Sequence, residues 1–164
     1  MNEAQKIDSD GELEGKYLSF ILGGEHYLSP LSEISQAIEV KPTKTLPNTE
    51  GYFEGVFSHK GEIYGVIDLS VKFQLKPAEQ AIYIFILFDY EDNRFAIKAE
   101  HARGVVKIDS EAIHKKPKIV SKIPLPFIKG MVEYDDDIYT ILDLKSLLNE
   151  EAIHCFNSQK VNYK

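Results

Sequence analysis

Tyr52–Phe73 (YFEGVFSHKGEIYGVIDLSVKF) decides the fold, because Phe127–Leu148 (FIKGMVEYDDDIYTILDLKSLL) repeats it without a gap. Gly55 matches Gly130, Ile63 matches Ile138 and Tyr64 matches Tyr139, and Asp68-Leu69 matches Asp143-Leu144. The apolar positions agree as well: Val56 with Met131, Ile67 with Leu142, Phe73 with Leu148. In the first copy Gly55–Lys60 and Ile63–Asp68 read as the arms of a hairpin turning at Gly61-Glu62. Upstream of each copy lies an apolar strand and its hairpin. Tyr17–Leu22 turns at Gly23-Gly24 into His26–Ser29, and Ile82–Phe88 turns at Glu91-Asp92-Asn93 into Arg94–Lys98.

Two copies built of short strands predict a mainly β chain of two small, packed barrels. Two are too few for a solenoid, which needs about three. The expected division is an acidic, disordered tail over 1–15, one domain over 16–153 and a polar tail over 154–164. Within the domain, one lobe is expected over about 16–78 and the other over about 79–153. Ser29-Pro30 looks like the start of a short helix over Leu31–Ile38, with Leu31, Ile34 and Ile38 on one face. Leu144–Ile153 is expected to form a C-terminal amphipathic helix.

The 164 residues suffice for a packed core without staples, and the single cysteine, Cys155, can form no internal disulfide. No signal peptide is evident, and the longest apolar run, Ala81–Phe88, is too short to span a bilayer. The expectation is a soluble, cytoplasmic protein without direct membrane insertion. A net charge of −7 opposes general nucleic-acid binding. The local exception is His114–Lys122, where Lys115, Lys116, Lys118 and Lys122 could follow a phosphate backbone in an alternative, nucleic-acid-binding reading.

No catalytic constellation stands out. Asp68 and Asp143 recur at strand ends and read as caps for the segments that follow rather than as paired acid and base. The five histidines and Cys155 show no metal-ligand spacing, and Asp135-Asp136-Asp137 lacks the glycine and glutamate of a calcium loop. No phosphate loop or nucleophile elbow occurs, so neither enzyme activity nor a cofactor is expected, although a small-molecule sensor barrel stays open. The two copies differ in charge at one hairpin tip: Ser58-His59-Lys60-Gly61 in the first, Glu133-Tyr134-Asp135-Asp136 in the second.

In order, these phrases resemble the CheW family. LPNTEGYFEGVFSHKGEIYGVIDLSVKF is similar to the family's "tP.fi.Gv.nlRG.iiPViDLr..f", YLSFILGGEHYLSPLSEI to its opening, and FIKGMVEYDDDIYTILDLKSLL to its second-half phrase. The likeness covers roughly Lys16–Glu150. It implies two SH3-like, five-stranded barrels with a groove between them. It also implies a non-enzymatic adaptor, joining a chemoreceptor's cytoplasmic tip to the regulatory domain of a CheA-type histidine kinase. Relatives serve pilus-associated systems, and the N-terminal domain of CheV is similar.

The positions that the resemblance assigns to the receptor are Ile34, Gln36, Ala37, Gly55 and Lys60; it assigns none to the kinase. Lys60 stands where the family has arginine, Gln36 where it has glutamate, Ala37 where it has a neighbouring apolar residue, and Ala99-Glu100-His101-Ala102 where it has "vDgV".

Overall fold

The fold is described from a computed structural model covering residues 13–47, 49, 51–115 and 121–148. The nine strands are β1 (Lys16–Leu22), β2 (Glu25–Pro30), β3 (Gln36–Glu39), β4 (Phe53–His59), β5 (Glu62–Asp68), β6 (Tyr83–Tyr90), β7 (Asn93–Lys107), β8 (Ile128–Tyr134) and β9 (Asp137–Leu142). One short helix, α1 (Leu69–Lys72), follows β5. Four hairpins turn on two residues that both have positive φ: Gly23-Gly24, Lys60-Gly61, Glu91-Asp92 and Asp135-Asp136. That geometry matches the twist of the flanking strands. The acidic triplet is therefore a hairpin tip, as its sequence suggested.

Strand pairing divides the chain differently from the expected cut near residue 78. β4 and β5 pair with each other, β5 then runs parallel to the first half of β7, β7 pairs with β6, and β6 with β3. In the other lobe β8 pairs with β9, β9 runs parallel to β2, β2 pairs with β1, and β1 with the end of β7. Each five-stranded, SH3-like lobe thus takes its first hairpin from the other copy of the repeat. The two hairpins are alike enough that the pattern of either satisfies both positions. Arg94 lies 3.4 Å from Glu62 in one lobe, and His26 lies 3.3 Å from Asp137 at the corresponding place in the other.

Both lobes close in the same way. Lys44 and Val56 exchange backbone hydrogen bonds of 2.8 and 2.9 Å, and His114 and Met131 exchange bonds of 2.8 and 3.0 Å. The exchanged hairpins explain the continuous apolar run of β6: Phe85 and Leu87 face the interior of their own lobe, while Ile86 and Phe88 enter a core common to both. That common core also holds Leu18, Phe20 and Leu22 of β1 together with Ile67, Ile97 and Leu142. Where the lobes meet, the Phe73 and Phe127 rings touch edge to face at 5.1 Å, and the Lys72 ammonium lies 3.9 Å above the Tyr52 ring.

β7 passes from one lobe to the other through an irregularity opposite Ser19–Ile21, with His101 at φ 41° and Gly104 at φ 100°. At this bend Glu100 is fully buried, and its carboxylate accepts the Gly23 N–H (3.0 Å) and the Ala78 N–H (2.9 Å). It holds a hairpin turn of one lobe to the connection entering the other.

Three expectations need correction. Leu31–Ile38 is not a helix: a single 3-10 turn (Leu31–Glu33) leads into β3, because the edge of β6 offers this segment backbone partners. Ser29 lies within β2 and its buried hydroxyl caps nothing, while Pro30, the last residue of β2, takes the N-cap place of the turn without a side-chain bond. At the C-terminus, the described part of Leu144–Ile153 is a 3-10 turn (Lys145–Leu147) leaving through an extended Leu148, and the rest lies outside the described residues. Third, Asp68 caps α1 by accepting the Ser70 and Val71 N–H groups (2.9 and 3.3 Å), but Asp143 serves the turn after β9 through its backbone carbonyl. That carbonyl accepts from the Ser146 N–H and hydroxyl. Residues 1–12 of the expected tail over 1–15, and the expected tail over 154–164, also lie outside the described residues.

Candidate functional site

Gln36 of β3 and Lys60 of the β4–β5 hairpin come to one corner of the β4–β5 lobe on either side of His59, whereas Ile34 lies before β3 and Gly55 stands near the start of β4, opposite Val66. Gln36 opens β3 and Lys60 sits in the hairpin turn beyond β4. Between them His59 makes two contacts: its Nε2 is 3.1 Å from Gln36 Oε1, and its Nδ1 is 2.7 Å from the Lys41 ammonium. Tyr64 and Phe57 form the floor, with ring centres 5.9 and 6.5 Å from the imidazole. Burial holds the Tyr64 phenol above its ordinary pKa, with Arg94 and then Lys60 pulling it down and Asp89 and Glu62 pushing it up.

Ala37 and Gly55 are both buried: Ala37 pairs with Ile86 of β6, and Gly55 packs against the Lys44 backbone at the other end of β4. Ile34 is half-buried and lines a cavity of about 250 Å³ with Glu33, Phe88, Asp89 and Lys145. The cavity lies where the segment leaving β2 passes between the lobes. Glu33 pairs with Lys129 at its edge. Burial also raises the nearby Tyr17 phenol, against the pull of Lys129 and with the push of Glu33.

The structure therefore brings Gln36 and Lys60 to one corner and places Ile34 in the adjoining inter-lobe cavity. Sequence reasoning noticed the cationic Ser58–Gly61 tip but missed Lys41, which the chain leaving β3 delivers to His59. The equivalent tip of the other lobe carries Glu133, Asp135, Asp136 and Asp137 around half-exposed Tyr134 and Ile138. The two hairpin tips thus differ in charge, with Lys60 at one and three aspartates at the other.

Other readings gain little from this geometry. Among the described residues no group of three or more His, Cys, Asp or Glu side chains is placed to hold a metal ion. No helix among them is long and apolar enough to cross a membrane. Of the basic run, Lys116 and Lys118 lie outside the described residues, and Lys122 faces Glu25 at 3.9 Å and donates to the Gly23 carbonyl. Tyr134, the one large aromatic side chain markedly exposed among the described residues, stands on the acidic tip and so supplies no basic stacking platform.

The molecule is thus two small barrels locked by exchanged hairpins, with a charged corner and an inter-lobe cavity. A model of the family described as the CheW-like domain matches residues 16–152, and the chain belongs to that family. It is 23% identical over 141 residues to the chemotaxis protein CheW of Treponema pallidum (strain Nichols), covering 83% of each chain. With the chemotaxis protein CheW of Helicobacter pylori (strain ATCC 700392 / 26695) the identity is 24% over 143 residues, covering 87% of this chain and 86% of the other. The fold is similar to the crystal structure of the scaffolding protein TtCheW from Thermoanaerobacter tengcongensis. That match has a TM-score of 0.77 at 21% identity and covers 90% of this chain and 96% of that one.

Proposed function

We propose that this chain is a cytoplasmic, non-enzymatic adaptor that couples a chemoreceptor's cytoplasmic tip to the regulatory domain of a CheA-type histidine kinase. The observation that carries the reading is the CheW-like domain over residues 16–152, with two lobes fused through a common core. An adaptor that holds two partners in fixed relation needs such rigidity between its binding ends.

The receptor contact is the β3 and β4–β5 corner. A helical receptor tip would lay apolar side chains along Ile34 and the groove floor, with backbone shaped by Ala37 and Gly55. Gln36 and Lys60 would meet its polar edge. The kinase contact falls to the β8–β9 lobe. Interfaces of this transient kind can be below about 1,200 Å² and still be specific.

The test is a titration of the purified protein against both partner domains, repeated with Lys60→Glu. The expected result is saturable binding to both domains. The variant should lose receptor affinity while keeping kinase affinity and a normal melting curve. Failure of the unaltered protein to bind either domain would sink the coupling reading. Unchanged receptor affinity in the variant would take Lys60 out of the site.

A further inference from the structure

We propose that His59 is a positioning residue at this corner, whose neutral ring holds Lys41 in place as a second ammonium, in addition to Lys60, for an acidic partner surface. The proposal rests on reading the corner as the receptor contact, and it adds two residues that neither the sequence motifs nor the family match assigns.

The argument is one of donors and acceptors. A lysine ammonium can only donate, so the His59 Nδ1, 2.7 Å from the Lys41 Nζ, must present its lone pair. The ring proton is then on Nε2, 3.1 Å from the Gln36 Oε1, which accepts it. Donation runs one way, from Lys41 through His59 to Gln36. An amide at position 36 is the partner this chain needs: a glutamate there would favour the imidazolium, whose Nδ1–H would push the Lys41 ammonium away.

Of the charged groups described around the ring, Lys41 and Lys60 favour the neutral imidazole, while Glu62, held close to Arg94, opposes it. β3 offers the uncharged Gln36, and the segment after it offers Lys41. β4 offers the Phe57 ring, and the turn beyond it Lys60. β5 offers the Tyr64 ring and, directly across the hairpin, Glu62, which lies 3.4 Å from Arg94.

Protonating His59 would break the chain of donation and release Lys41. The sign of the resulting pH dependence separates this role from a plain surface histidine. A histidine that only added charge would strengthen binding to an acidic partner on acidification, whereas loss of a positioned lysine weakens it.

The test has two parts. In the free, full-length protein, long-range nitrogen NMR above neutral pH should show His59 with its proton on Nε2 and a lone pair on Nδ1. Binding is then measured against the receptor tip and, separately, a polyglutamate peptide, as pH falls through the histidine range of about 7 to 5.5. Affinity should fall on acidification. It should drop about tenfold in Lys41→Met, recover in Lys41→Arg, and lose its pH dependence in His59→Gln, whose amide can accept and donate in the same sense. An Nδ1–H tautomer, tighter binding at low pH, or full affinity for both probes in Lys41→Met would overturn the proposal. Polyglutamate binding that depends on Lys41, with no binding of the receptor tip, would uphold the positioning role and overturn the receptor reading.

Discussion

Gly55 rests so close to the carbonyl of Lys44 that a β-carbon on the glycine would overlap that oxygen. The contact closes the β4–β5 lobe, since Lys44 and Val56 exchange backbone bonds at this point. Gly130 has the same place in the other lobe. A β-carbon there would come within 2.7 Å of the Ile113 Cγ2 and 3.0 Å of the His114 carbonyl oxygen. The glycines that mark the sequence repeat are thus where a strand crosses against backbone.

The two sites should respond unequally to alanine. At Gly55 the obstacle is rigid backbone and φ is 150°, so strain adds to overlap and Gly55→Ala should cost about 3 kcal/mol or more. At Gly130 the nearest atom belongs to a side chain that can turn, so Gly130→Ala should cost about 1–2 kcal/mol. Urea unfolding of the two variants measures the difference. Equal costs would show that the closing segment near Lys44 can yield.

Glu100 replaces an aspartate of the family phrase and gains a structural task, because its longer side chain reaches the N–H groups of both Gly23 and Ala78. Glu100→Ala would orphan both donors in a buried place and should destabilise by about 2–4 kcal/mol. Glu100→Gln keeps one acceptor oxygen and should lose roughly half as much. Hydrogen exchange at the Gly23 and Ala78 amides gives a local check. Undiminished protection in Glu100→Ala would mean that other acceptors take over.

Much of this architecture was legible in the sequence because its determinants are local. The repeat, the hairpins and their turn residues depend on neighbours a few positions apart, and they fell within a residue or two of the observed strands, except that β7 runs nine residues past the expected end at Lys98 to join the other lobe. The hairpin exchange was not legible, since β1–β2 and β6–β7 carry nearly the same pattern and only packing decides which partner each takes. Leu31, Ile34 and Ile38 satisfy a helical stripe equally well as a turn followed by a strand, and the edge of β6 settles the matter. At the candidate site Gln36 and Lys60 stood out by departing from a family pattern. Lys41 had no such signal, because its meaning comes from His59, which the fold brings to it.

Lys98 gives the protein an alkaline limit. Burial lowers the pKa of its ammonium. The Glu54 carboxylate at 2.8 Å, with Asp68 and Tyr83, more than offsets this and leaves the value above the ordinary lysine one. A raised folded-state pKa means that the stabilisation is complete below about pH 10.4 and is lost as pH rises through the folded value. The buried Tyr27 phenol, also raised, acts in the same direction. Stability of the unaltered protein should therefore fall steeply above about pH 10.4, and Lys98→Met should be less stable at neutral pH but show a shallower alkaline slope. Parallel slopes would show that Lys98 loses its proton without consequence for the fold.

The exchanged hairpins carry a consequence for the halves of the chain. Cutting between Ala78 and Glu79 separates the repeat copies, yet each half then lacks the hairpin that completes its own lobe. The half ending at Ala78 keeps β3, β4 and β5 without β6 and β7, and its β1–β2 hairpin has lost β9 and the end of β7. Neither half can bury its share of the common core, so each alone should give the circular dichroism of an unfolded chain. Coexpressed, the halves regain every strand pairing of the intact protein, and they should copurify as a folded complex with one unfolding transition, less stable by the cost of association of about 4–15 kcal/mol. Cooperative unfolding of either half by itself would instead mean that each copy can close on its own hairpin, with the exchange a choice between two near-equal pairings rather than a requirement of the fold.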